Sequence, residues 1–254
     1  MGAGVPAGYV RVVRGRCTAV ARIELEDDAR ALLADGTLYE AAARDLAARP
    51  LTGRGLAYAI ALPVTGARVV VRHNRHGGLL APLTKDFFLP PTRAPHELDA
   101  SLRLAAMGVR TPTISMYAVE SVHGVLRRAD VMTLEVMGSR DLASYLLPGE
   151  VPAVRAEAWR ATRALVRSLN AAGARHHDLN VKNVLLADGD GGLVAWVLDV
   201  DRVRFGQAHA ASVRVGNATR LLQSARKWRA ERGAVFDERE VASLGAPHDA
   251  STDP

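Results

Sequence analysis

Apolar and polar positions alternate along much of the first half of the chain, whereas in the second half apolar residues recur at helical spacing. The alternation predicts a strand over Tyr9–Ile23, then helical segments over Asp27–Leu33 and Leu38–Ala48. A strand pair follows, Leu56–Pro63 and Ala67–His73, joined by the turn Val64-Thr65-Gly66. The proline-rich stretch Pro82–Pro95 is expected to be irregular. A helix is predicted over Pro95–Met107, with Leu98, Leu102 and Ala105 on one face and Gly108 as its stop. Strands over Ile114–Glu120 and Val125–Glu135 come next, and Ser139 is placed to cap a short helix through Leu147.

The clearest helix covers Pro152–Ala172, where Val154, Ala158, Ala161, Leu165 and Leu169 form one stripe and Gly173 ends it. Two short apolar runs, Val184–Ala187 and Leu193–Val200, flank a Gly/Asp turn and read as a hairpin. A final helix spans Asn217–Arg232, with Leu221, Leu222, Ala225 and Trp228 inward. No internal repeat is visible. The resulting division has an N-terminal extension (1–50, a strand and helices), a strand-rich lobe (51–138), a helical lobe (139–244) and a disordered tail (245–254). The fold class is α+β with two lobes, hinged near Glu135–Ser139.

Composition excludes whole classes. Over 254 residues, 48% are hydrophobic and 24% charged, which rules out a disordered or fibrous chain. No apolar run approaches the roughly 18 residues of a transmembrane helix. The start is broken by Arg11, Arg14 and Arg16, so no signal peptide is expected. Cys17 is the single cysteine, which excludes an internal disulfide and fits a cytoplasmic setting. The net charge of +6 suits anionic partners. Its distribution says more. Leu51–Lys85 has five basic residues and no acid, and Arg202–Arg232 has seven arginines and Lys227 against Glu231 alone. Between these flanks lie Asp178, Asp188, Asp190, Asp199 and Asp201, an arrangement suited to a metal and a polyphosphate.

The chemistry concentrates in His176-His177-Asp178-Leu179-Asn180-Val181-Lys182-Asn183, followed by the hairpin and by Asp199 at its far end. This is the H-x-D-L-x-x-x-N and strand-end Asp pattern of protein-kinase-like phosphotransferases. Asp178 would accept the proton of an acceptor hydroxyl, as the catalytic base. Asn183 and Asp199 would hold Mg2+, which takes few hard oxygen ligands from protein because phosphates and water supply the rest. His176 reads as a buttress of the loop rather than a metal ligand, His177 is undecided, and Asp201 is either a ligand or an exposed loop acid. Upstream, Gly53-Arg54-Gly55 resembles a shortened glycine-rich nucleotide loop. In the kinase pattern the second strand of the pair carries a lysine for the ATP phosphates, paired with a helix glutamate. Here that position is Arg72, with Glu97 as its partner and Lys85 as the alternative phosphate ligand.

Arg72-His73-Asn74-Arg75-His76-Gly77-Gly78 is similar to the R-H-Y-R-R-G-G signature of the 3-deoxy-D-manno-octulosonic acid (Kdo) kinases, in the lipopolysaccharide kinase family. Gly53-Arg54-Gly55, His96-Glu97, Gly108 to Pro112, Arg128-Ala129-Asp130 and Arg140-Asp141-Leu142-Ala143 follow the family in order and spacing. His177-Asp178-Leu179-Asn180 with Asn183 resembles its H-x-D-L-N-x-x-N core, with either His176 or His177 in the histidine's place. Asp199-Val200-Asp201-Arg202 looks like its D-F-D-R, with Val200 for phenylalanine, and Asn217 to Lys227 resembles its closing helix. The resemblance runs from about Gly53 to Gly233 and departs at Pro82, where the family often has lysine.

It implies a protein-kinase-like fold whose strand-rich lobe binds nucleotide. It further implies an ATP- and Mg2+-dependent kinase that phosphorylates Kdo on a lipid A precursor. Such an enzyme would sit on the cytoplasmic face of the inner membrane, in peripheral contact with anionic lipid. The rival readings are a kinase-fold enzyme acting on another small molecule or a protein, and a non-catalytic kinase-like binding module. Only 15 residues separate Asp201 from Asn217, which leaves little room for a peptide-binding segment. No nucleic-acid motif is present, and no nucleic-acid partner is expected.

Overall fold

The computed structural model describes residues 4–52, 56–74, 88–122 and 124–246. The chain divides into two units, Met1–Asp99 with Thr113–Glu135, and Ala100–Pro112 with Val136–Pro254. The first is strand-rich and the second mainly helical, the α+β organisation expected from the sequence.

The first unit contains β1 (Tyr9–Arg14), β2 (Cys17–Arg22), α1 (Glu26–Leu32), α2 (Leu38–Arg44), β3 (Arg49–Thr52), β4 (Leu56–Ala61) and β5 (Arg68–His73). The helix α3 (Ala94–Ala106) begins in this unit, and β6 (Ile114–Ser121) and β7 (Arg127–Leu134) complete it. The strands form one sheet in the order β1-β2-β6-β7-β5-β4-β3, antiparallel throughout. Period-two alternation explains the core. In β5, Val69 and Val71 are fully buried on one face, which turns Arg72 to the other. Helices α1 and α2 cover the buried face, with Ala29, Leu38 and Ala42 packed with Ile60, Met116 and Met132. Truncating Met132 to Ala would cost about 2–5 kcal/mol. Helix α2 is fixed by a capping box between Thr37 and Glu40.

Residues 1–50 are therefore not an extension: β1 and β2 are sheet strands, and β2 pairs with β6 from Cys17↔Glu120 to Ala21↔Met116. The expected single strand over Tyr9–Ile23 is a hairpin, because Gly15 takes a left-handed φ of 55° and turns the chain. The second expected helix stops at Arg44, and β3 follows where no strand was expected. Gly53, Arg54, Gly55 and Lys85, with the Arg75–Gly78 part of the signature and the tail from 247, lie outside the described residues.

The second unit contains β8 (Arg140–Asp141), α4 (Leu142–Tyr145), α5 (Pro152–Ala171), β9 (Ala174–His176), β10 (Val184–Gly189), β11 (Gly192–Val197), β12 (Val203–Phe205), α6 (Ala211–Arg232) and α7 (Glu238–Ser243). Helix α5 is the centre of its core. Ala158, Trp159, Leu165, Val166 and Leu169 are buried among residues of α4, β10, β11 and α6. Gly173 closes α5 at φ 63°, and a Cβ there would stand 2.4 Å from the Gly206 carbonyl, so only glycine fits. The short helix after Gly138 starts later than expected. Asp141, not Ser139, caps it by accepting from the Ser144 N–H, because residues 140–141 are held as a strand on β10. Helix α6 begins at Ala211, six residues before the expected start, which shortens the segment after Asp201 further.

Candidate active site

The Asp178 loop connects β9 to β10, and side chains of its own sequence shape it. His176 is fully buried, and burial pushes its pKa below the usual imidazole value. The Asp178 N–H donates to His176 Nδ1 (3.1 Å), so the ring proton sits on Nε2 and donates to the Leu198 carbonyl (2.8 Å). A neutral histidine thus links the loop to the end of β11. Asn180 folds the turn. Its Oδ1 accepts from the N–H groups of Lys182 (2.9 Å) and Asn183 (3.1 Å), and its Nδ2 donates to the Asp178 carbonyl (2.9 Å). Asn183 Nδ2 donates to the same carbonyl at 3.0 Å. A carbonyl cannot donate, so the amide's Oδ1 is the end left for a ligand.

Asp199 comes beside Asn183 through the register of one hairpin. Val184 pairs with Val197, and one step on the Leu198 N–H donates to the Asn183 carbonyl at 2.9 Å. Asp199 follows at φ 54°, ψ 47°, a left-handed conformation that non-glycine residues adopt rarely and that concentrates at functional sites. Val200 is buried in the core beneath it, filling the place of the expected phenylalanine. Asp201 is ion-paired with Arg202 (3.6 Å). Asp178 Oδ1 accepts from Arg220 Nη2 at 3.0 Å, and Lys182 is ion-paired with Asp141.

In the first unit, Arg72 Nη1 donates to Asn74 Oδ1 (3.0 Å), and Nη2 forms an ion pair with Glu97 at the start of α3. Glu97 is buried, and the guanidinium offsets part of the cost of placing a carboxylate there. Behind Arg72, His73 and Asp130 stand opposite each other in the β5–β7 register and form a buried pair. Asp130 also accepts from the Tyr39 N–H of α2 (2.9 Å). The sequence gives no sign of this contact, because His73 and Asp130 become neighbours only through the pairing of β5 with β7.

The two oxygen donors Asn183 and Asp199 suit magnesium, a hard cation that keeps several non-protein ligands. Among the described residues no group of three His, Cys, Asp or Glu side chains could hold a metal, so a closed all-protein cage is not formed there. No helix among them is long and apolar enough to cross a membrane.

Residues 45–242 match the family described as lipopolysaccharide kinase (Kdo/WaaP). A 3-deoxy-D-manno-octulosonic acid kinase of Vibrio parahaemolyticus is 32% identical over 198 residues, covering 76% of this chain and 78% of the relative. Another, from Stenotrophomonas maltophilia, is 33% identical over 210 residues, covering 80% and 79%. The solved structure of WaaP in complex with acyl carrier protein superposes with a TM-score of 0.52 at 18% identity, covering 85% of each chain. At that identity the likeness concerns the fold, which is protein-kinase-like.

Proposed function

The chain belongs to the lipopolysaccharide kinase (Kdo/WaaP) family, and we propose that it transfers the γ-phosphate of ATP to a hydroxyl of Kdo on a lipid A precursor, a step of lipopolysaccharide core biosynthesis. The observation that carries the reading is the joined loop pair. The Asp178 carbonyl anchors the Asn183 side chain, and the Asn183 carbonyl anchors the backbone ahead of Asp199. These bonds support a reading in which a proton acceptor and two oxygen donors share one braced backbone, as phosphoryl transfer by positioning requires.

In this reading Asp178 orients the acceptor hydroxyl and takes its proton as the oxygen bonds to the γ-phosphorus and the bond to the ADP oxygen breaks. Asn183 and Asp199 would hold Mg2+, which when bound offsets phosphate charge. Arg72, kept in place by Glu97 and Asn74, contacts the ATP phosphates through a planar fork suited to oxyanions. By their sequence pattern Gly53, Arg54 and Gly55 would serve nucleotide binding, with Lys85 as the alternative phosphate ligand. The enzyme works at the cytoplasmic face of the inner membrane, docking peripherally through its positive charge. The test is incubation with ATP, Mg2+ and a Kdo-bearing lipid A precursor, followed by mass spectrometry. The acceptor should gain one phosphoryl group on its Kdo residue, and gain elsewhere or none would refute the assignment.

A further inference from the structure

Beside Asp178 lies a group of arginines that the transfer chemistry itself does not use. β9 and β12 form a two-stranded ribbon in which Arg175 and Arg204 are direct partners on one face. Like charges placed opposite each other weaken a strand pair, so the sheet gains nothing from them. Arg175 is nevertheless built in firmly. Its neighbours Ala174 and His176 are fully buried, which directs Arg175 outward. The buried Asn217 of α6 clamps the backbone on both sides, accepting from the His176 N–H (2.9 Å) and donating to the Ala174 carbonyl (3.0 Å).

Gly216, adjacent on α6, is the seat for the Arg175 side chain. A Cβ there would stand 2.7 Å from Arg175 Nε and 3.1 Å from its Cζ. Glycine inside a helix is unfavourable relative to alanine, and Gly216 has no positive φ to require it. One turn further along the same helix, Arg220 reaches Asp178. Arg204 is steadied by donating to the carbonyls of Val203 (3.0 Å) and Asp201 (3.4 Å). His177, exposed next to Asp178, has its pKa lowered by desolvation and then by the charges of Arg175, Arg204 and Arg220, as expected where positive potential is concentrated.

We propose that Arg175, Arg204 and Arg220 form the binding site for an acidic group of the acceptor, a sugar carboxylate or a phosphate ester, and so bring its hydroxyl to Asp178. The proposal rests on the kinase reading above and adds to it how the acceptor is selected. Planar guanidinium forks match both oxyanions, and the Arg220–Asp178 bond ties the anion site to the base. A neutral sugar of the same shape would lack this anchor.

Three variants test it: Arg175→Ala, Arg204→Ala and Gly216→Ala, the last displacing the Arg175 guanidinium without removing it. Each should raise the apparent KM for a Kdo-bearing lipid A precursor about tenfold or more, with the KM for ATP within about twofold. Arg175→Lys should lose less than Arg175→Ala. Acceptors with the Kdo carboxylate methylated, or with the lipid phosphates removed, separate the two sources. The one whose loss removes the wild-type advantage over Arg175→Ala carries the recognised group. Wild-type transfer with an unchanged acceptor KM in all three variants would overturn the anion site and leave the kinase reading standing. Absence of transfer by the wild type would overturn the kinase reading. Calorimetric binding of the same precursor then decides the site: weaker binding by Arg175→Ala supports it, and equal binding, or none by the wild type, refutes it.

Discussion

Asn183 donates its side-chain amide to the backbone carbonyl of Asp178 at 3.0 Å, so two residues five positions apart form one rigid unit. Asn180 completes it by accepting two backbone N–H groups. Asn180→Ala would remove the side-chain acceptor of the Lys182 N–H and one donor to the Asp178 carbonyl, while the Asn183 N–H keeps the Asn180 backbone carbonyl at 2.9 Å, a loss of about 1–3 kcal/mol. For a chain of this size that corresponds to roughly 2–10 °C in Tm. Differential scanning calorimetry should show that drop, whereas Asp199→Asn, which removes charge and keeps shape, should leave Tm within about 2 °C. An unshifted Tm for Asn180→Ala would mean that the turn holds without it.

His176 gives the loop a pH dependence with a definite sign. Burial lowers its folded pKa below the ordinary imidazole value of about 6.5, so the unfolded chain binds the proton more readily. The contribution is fully present above about pH 6.5 and is lost as pH falls below it, by up to about 1.4 kcal/mol per pH unit. Replacing His176 by Gln should lower stability at pH 8 and flatten its decline between pH 6.5 and 5. Urea denaturation at several pH values checks this, and an unchanged slope would show that another group governs it.

The Arg72–Glu97 pair separates a structural from a binding role. Removing one partner of a fully buried pair costs about 3–5 kcal/mol, and less here because Arg72 is 29% exposed. Arg72→Ala should therefore lower stability and also raise the KM for ATP. Adding Glu97→Gln should recover part of the stability, since no buried charge is stranded, without restoring the KM. Lys85→Ala should change neither. Recovery of the KM in the double variant, or a raised KM in Lys85→Ala, would shift phosphate binding away from Arg72.

Much of this arrangement could be read from residue patterns. The period-two run of β5, the stripe of α5 and the spacing from Asp178 to Asn183 each reflect local geometry. What escaped was non-local or brief. The ribbon β9–β12 and the pair at β8 are two or three residues long, too short for any period to show. Gly216 fell outside the expected helix and Asn217 read only as its first residue, because their meaning depends on Arg175 and its flanking backbone packing against α6. The Asp141 cap displaced Ser139 only because β10 captures residues 140–141.

Peripheral docking makes a separate prediction. Binding to vesicles containing anionic lipid should weaken steeply between low and about 0.5 M salt, since exposed charges are screened beyond about 8–10 Å at physiological ionic strength. Flotation at several salt concentrations measures it. Salt-insensitive binding would indicate apolar insertion, and no binding would remove the membrane from the account.

The catalytic role of Asp178 shows most directly in the single-turnover rate of phosphoryl transfer by Asp178→Asn relative to wild type, with ATP affinity measured on the same samples. The substitution keeps the shape of the side chain and removes the proton acceptor. The rate should fall at least about 10²-fold with ATP affinity within about threefold. A near-normal rate in a folded Asp178→Asn protein would contradict it and leave the loop as structure alone.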